Sequence, residues 1–218
     1  MNFVINPLAD VCMCQAKERL DNLIKPIGSL GYLEDMVIRY AGIIQNAKPE
    51  ELLCERKVVI VFGAAKSMAL AEQSISIKKN MTVPMEINVI LAETPSDALA
   101  EGAMLVEEFI SEKKYQMVRF EVLDKENITL NAVAGGMLQA SMMGVPVWLG
   151  GKECQRALAI AKKKNPVVAD YCFFVDNIQS FDSELGKRAE MEFNIFDAAL
   201  KCYRQLPTFL EAGVDKPL

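Results

Sequence analysis

One segment limits the choice of fold more than any other. Val58, Val59, Ile60, Val61 and Phe62 form an unbroken apolar run closed by Gly63. A strand covered on one face alternates apolar and polar residues. A continuous run marks a strand covered on both faces, as in parallel sheets. The rest of the chain agrees with that reading. Residues 97–111 carry Leu99, Ala103, Val106 and Phe109/Ile110 at helical spacing. Val118, Phe120 and Val122 alternate with Arg119 and Glu121, which predicts a half-exposed strand. Residues 129–143 predict a helix of small residues, leading through Gly144 into a third strand at 145–149. Residues 152–164 predict another helix, 170–175 a fourth strand, and 183–205 a final long helix or two. Strands alternating with helices predict βαβ units. No strand signal precedes Val58. Instead, residues 29–45 read as an amphipathic helix with Ser29 as N-cap. The expected architecture is α/β: an open parallel sheet with flanking helices over residues 51–183. A small helical cap built from both termini, residues 1–50 and 184–218, completes it.

Composition narrows the chemistry. Hydrophobic residues make up 51% and charged residues 24% of the 218, an ordinary globular balance. The chain has no histidine. That excludes Ser-His-Asp triads, Cys–His pairs and zinc sites built on imidazole. Acid–base work falls to carboxylates, Lys, Tyr or Cys. A formal net charge of −5 gives no positive field for nucleic acid. No apolar stretch of about 18 residues predicts a membrane span, and residues 1–10 lack a secretory pattern. Cys12, Cys14, Cys54, Cys154, Cys172 and Cys202 are scattered and read as reduced thiols. The expectation is a cytoplasmic protein without metal or cofactor.

In open parallel sheets, sites lie at the carboxyl ends of the strands. Here those ends begin at Gly63, Leu123, Gly150 and Asp176. Gly63 leads into Lys66 and Ser67, small residues with a cation that suit an anion, without the spacing of a P-loop. Gly150, Gly151 and Lys152 offer backbone amides and a cation at a helix start, or simply a strand-to-helix turn. Asp176 reads as a ligand contact or a cap.

Residues 19–34 carry Lys25-Pro26-Ile27-Gly28-Ser29-Leu30-Gly31-Tyr32-Leu33-Glu34. This string resembles the N-terminal signature of the nicotinate-nucleotide:dimethylbenzimidazole phosphoribosyltransferase family. Thr208-Phe209-Leu210-Glu211-Ala212-Gly213-Val214 is similar to that family's closing motif, and residues 134–140, 144–147 and 166–171 match its second half. The resemblance implies a parallel α/β domain, a helical domain from both termini, and a dimer. It implies transfer of phosphoribose from nicotinate mononucleotide to an aromatic base, giving the α-riboside used as the lower ligand of cobamides. A glutamate acts as general base in that reaction.

The chain departs from the family where the chemistry sits. The Asp-His-Gly after the first strand becomes Ala65-Lys66-Ser67, and the segment beside the aromatic base carries Ser76 and Lys78. The central Gly-Glu-Met-Gly-Ile-Gly-Asn-Thr-Thr motif is missing between Val106 and Phe120. The Gly-Glu-Gly-x-Gly turn that bears the base is also absent. Two registers place that base at Leu185, beside Glu184, or at Met191, between Glu190 and Glu192. The leading reading is a catalytically degenerate member acting as a scaffold or partner subunit, in a homodimer or with a full-length homologue. One alternative is an active enzyme with a rebuilt site, its base Glu190, Glu192 or Glu184 and its phosphate partner Lys66, Lys78 or Lys152. The other is a protein that binds a small-molecule ribotide or cobamide precursor.

Overall fold

The computed structural model describes residues 2–26, 28–64, 83–174 and 185–213. In chain order the elements are α1 (Asp10–Asn22), α2 (Tyr32–Ile43), β1 (Lys57–Ala64), β2 (Met85–Ile90), α3 (Pro95–Lys113), β3 (Met117–Val122), α4 (Asn127–Met142), β4 (Val147–Leu149), α5 (Lys152–Lys164), β5 (Cys172–Phe173) and α6 (Leu185–Gln205). A 3-10 turn over Pro166–Tyr171 precedes β5. The chain divides into two units. One comprises Met1–Pro7 and Glu55–Met191, the other Leu8–Cys54 and Glu192–Leu218.

The first unit is an open, wholly parallel sheet with strand order β2-β1-β3-β4-β5 and flanking helices. The apolar run of β1 lies in its interior: Val58 to Phe62 are all 0% exposed. Several expectations need correction. Among the described residues five strands pair where four were expected, because the edge strand β2 carries no continuous apolar run. And β3 is buried rather than half-exposed. It sits between β1 and β4, so both its faces are covered. Arg119 and Glu121 are two apart, hence on one face, and they form a buried ion pair through Arg119 Nη1 and Glu121 Oε1. Of the fourth expected strand, Asp170 and Tyr171 end the 3-10 turn and Cys172 and Phe173 are extended.

Residues 2–7 belong to this sheet unit rather than to the helical one. Phe3 and Ile5 are buried, the Asn165 side-chain amide donates to the Phe3 carbonyl at 3.1 Å, and the Tyr171 hydroxyl donates to the Asn6 carbonyl at 3.0 Å. Helix α4 is buried almost throughout. It crosses α3 at backbone contact: a Cβ on Gly102 would fall inside the Ala132 carbonyl, and one on Gly135 inside the Leu99 carbonyl.

The second unit is helical. Gly42 of α2 lies against the Met13 side chain of α1, and Phe196 of α6 meets Tyr40 edge-on with ring centroids 5.2 Å apart. Helix α2 starts at Tyr32, not at Ser29. Gly28 and Gly31 take positive φ, +70° and +53°, so the chain turns there before the helix begins. Lys25 closes that turn on Glu34 at 2.7 Å, both side chains nearly buried. The Leu30 amide donates to the same carboxylate at 3.3 Å. Leu23 and Thr208 form an antiparallel bridge, flanked by Ile24 N–H to Pro207 O and Phe209 N–H to Asn22 O. Arg19 donates to the carbonyls of Tyr203 and Leu206 and to Glu211. Glu211 also accepts the Thr208 amide at 2.6 Å, and Thr208 Oγ1 accepts the Glu211 amide at 3.1 Å.

Candidate functional site

The strand order reverses at β1, which runs to β2 on one side and to β3 on the other. A crevice outside the carboxyl ends of β1 and β3 is therefore the expected place for a ligand. Gly63, the penultimate residue of β1, lies there. It is buried, and a Cβ would come 3.1 Å from Leu123 Cδ1, so the glycine lets the two strand ends meet closely. The Leu123 amide donates to the Phe62 carbonyl at 2.9 Å.

The next gap, between β3 and β4, is filled from within. The Gly150 amide donates to the Phe120 carbonyl at 2.9 Å, and a Cβ on Gly150 would run into the Glu121 carboxylate and the Phe120 carbonyl. An anion brought to Gly150 meets a carboxylate already in place, its charge matched by Arg119. Gly151 takes φ +91° and faces open space at the start of α5, and Lys152 is exposed beside it. Beneath them the Cys154 thiol donates to the Phe120 carbonyl at 3.2 Å. Burial, and then the neighbouring Glu121 carboxylate, push that thiol well above the ordinary range. It is a packing group, not a nucleophile.

The candidate bases lie on α6. Glu190 is half-buried and Glu192 is 1% exposed. Both occupy a regular helix that runs without interruption from Leu185 to Gln205. At one register for the family's base stands Met191, 43% exposed. Glu192, one residue on, points about 100° away. Lys66, Ser67, Ser76, Lys78, Asp176 and Glu184 lie outside the described residues. Of the sequence candidates that are described, Gly63, Gly150, Gly151 and Lys152 stand at the strand ends. Sequence reading missed Arg119 and Glu121 as part of this face. Opposite charges two residues apart on a strand between two apolar ones were the available signal. Among the described residues, no three His, Cys, Asp or Glu side chains converge to hold a metal, and no helix is long and apolar enough to cross a membrane.

The fold is that of an α/β protein with an open parallel sheet, whose carboxyl edge is the expected place for a ligand. A phosphoribosyltransferase family model matches residues 5–106. The nicotinate-nucleotide–dimethylbenzimidazole phosphoribosyltransferase of Geobacter sp. (strain M21) is 34% identical over 100 residues, 45% of this chain and 27% of that protein. Its counterpart in Desulforamulus reducens is 38% identical over 92 residues, 42% of this chain and 25% of that protein. The matched stretch thus spans about a quarter of these curated relatives. The crystal structure of CobT from Thermus thermophilus shares the fold, with a TM-score of 0.79 over 95% of this chain and 100% of that chain at 15% identity. Over its first half the chain is similar in sequence to nicotinate-nucleotide–dimethylbenzimidazole phosphoribosyltransferases, and over nearly all of its length it shares the fold of the Thermus thermophilus CobT structure.

Proposed function

We propose that this chain is a catalytically degenerate, cytoplasmic phosphoribosyltransferase homologue. It keeps the scaffold and serves as a partner subunit, with itself or with a full-length homologue, in making the α-ribotide of the cobamide lower ligand. The observation that carries this is the uninterrupted helix α6. At one of the two registers for the glycine-rich turn that bears the family's base, the chain forms regular helix with Met191 outward and Glu192 buried. In general-base catalysis reach comes before pKa. The retained motifs support the same reading, because their residues hold the helical unit together: Lys25 with Glu34, Arg19 with Glu211, and the turns at Gly28 and Gly31.

Purified protein given nicotinate mononucleotide and dimethylbenzimidazole is expected to yield no riboside above the uncatalysed background. Turnover that disappears in Glu190→Gln or Glu192→Gln would overturn the proposal in favour of a rebuilt active site. Co-expressed with a full-length homologue, the chain is expected to co-elute with it or to elute as its own dimer. Elution as a separate monomer counts against the partner role. A ribotide-binding role would instead raise the melting temperature with added nicotinate mononucleotide.

A further inference from the structure

On the solvent side of α3 runs a groove of about 890 Å³ that the ligand face does not use. Its floor is apolar, with Leu91, Met104 and Leu105. Leu91 is 75% exposed and Met104 63%. The opposite face of α3 is the one that faces the core, through Ala98, Leu99, Gly102, Ala103, Val106 and Ile110. An outer face is ordinarily polar, so two large apolar side chains at such exposure call for a cover. Leu91 is presented by a fixed backbone: its amide and that of Ala92 donate to the Glu101 carboxylate at 3.1 and 2.9 Å. The rim is acidic, with Glu107, Glu108 and Glu112 exposed along it. Of the two lysines that follow Glu112, Lys113 and Lys114, the first is engaged elsewhere. Lys113 is committed to Glu86 at 2.7 Å and lies over the Phe109 ring.

We propose that this groove docks a cationic amphipathic helix from another protein, with apolar side chains seated on Leu91 and Met104 and Lys or Arg residues facing Glu107, Glu108 and Glu112. An apolar floor between carboxylates selects that chemistry, because the anchor and the charge must come on one segment. A second copy of this chain matches less well. Its exposed cation run, Lys162, Lys163 and Lys164, ends α5, and among the described residues no large exposed hydrophobic side chain lies on that helix. It brings charge without an anchor. The inference stands whether or not the chain retains transferase chemistry.

The test is fluorescence anisotropy with a labelled amphipathic Lys/Leu peptide of about four helical turns, beside a Lys/Ser peptide of equal charge. The Lys/Leu peptide is expected to bind, and the Lys/Ser peptide to bind at least roughly tenfold more weakly. Met104→Glu and, separately, Leu91→Ser should each weaken binding by roughly tenfold with unchanged thermal melts. Glu107→Lys with Glu108→Lys should weaken it and flatten its salt dependence. The proposal is overturned if the Lys/Leu peptide fails to bind, if both peptides bind alike, or if Met104→Glu and Leu91→Ser leave binding unchanged. It is equally overturned if sedimentation shows a dimer that closes the groove to peptide and that Met104→Glu dissociates, since the occupant is then a second copy.

Discussion

At the scale of single residues, Gly150 and Glu121 depend on each other. The backbone at Gly150 passes so close to β3 that only a missing Cβ leaves space for the Glu121 carboxylate. Gly150→Ala is expected to destabilise the protein by about 1–3 kcal/mol, the ordinary cost of overpacking a filled site. Glu121→Gln is expected to cost more, about 3 kcal/mol or above, because Arg119 is 0% exposed and loses a charged partner inside the sheet. Replacing both, Arg119→Met with Glu121→Leu, should recover much of that loss, since a buried pair often does no better than apolar residues of similar volume. Denaturant melts of the three variants check this. If the double variant is as unstable as Glu121→Gln, then Arg119 is needed for more than neutralising Glu121.

At the scale of elements, the crossing of α3 and α4 sets two effects against each other. Gly102 and Gly135 sit inside helices, where Ala is better by about 1 kcal/mol on intrinsic propensity. Packing runs the other way, because a methyl at either site lands on a carbonyl of the facing helix. Backbone cannot rotate aside as a flexible side chain can, so the helices must separate. Gly102→Ala and Gly135→Ala are each expected to destabilise by about 1–3 kcal/mol net, read as a lower denaturant midpoint. A stabilised variant would mean that the helices can part without loss.

The same crossing marks how much was legible beforehand. Periodicity found α3 and α4, and β1 announced itself by its unbroken apolar run, because each pattern reflects how many faces of the element are covered. Strand β2 escaped because an edge strand needs no such run. Strand β3 was misjudged because Arg119 and Glu121 look the same in sequence whether they face water or one another. Only the strand order, which places β3 in the sheet interior, separates the two cases. At the carboxyl edge of the sheet, turn chemistry pointed to the glycines at positions 63, 150 and 151 as strand ends, while the Glu121 carboxylate against Gly150 left no such mark in the sequence. The register of α6 against the family's base could not be fixed either, since a helix without its glycine-rich turn offers no anchor for counting.

At the scale of the whole molecule, titration should narrow stability from both sides of neutral pH, through groups in the helical unit. On the acid side stands Glu211. The Thr208 amide and hydroxyl, and then Arg19, hold its carboxyl below the usual carboxylate range. Lys48 and Asn46 do the same for Glu51. A carboxyl depressed in the folded state stabilises above its unfolded pKa, and that contribution is lost as pH falls through the folded value. Stability should therefore drop below about pH 4. On the alkaline side stand Tyr203, pushed up to about 12 by burial, and Tyr40, raised first by burial and then by Cys54 and Asp197. The unfolded chain releases these protons near 10, the ordinary tyrosine value, while the folded chain keeps them. Their contribution is complete below about pH 10 and is lost as pH climbs toward the folded values. Tyr203→Phe removes the hydroxyl that donates to the Ala47 carbonyl. It should lower stability near neutral pH by about 1 kcal/mol and make the alkaline decline shallower. The single tryptophan, Trp148, lies in β4 of the sheet unit and is 0% exposed, so its fluorescence reports that unit, while far-ultraviolet ellipticity reports the helices of both. Thermal melts followed by the two signals across the pH range should show ellipticity failing first above about pH 10, because the tyrosine driven to about 12 lies in the helical unit. If the two signals instead fall together and Tyr203→Phe leaves the alkaline slope unchanged, the buried phenols are not what limits the molecule at high pH.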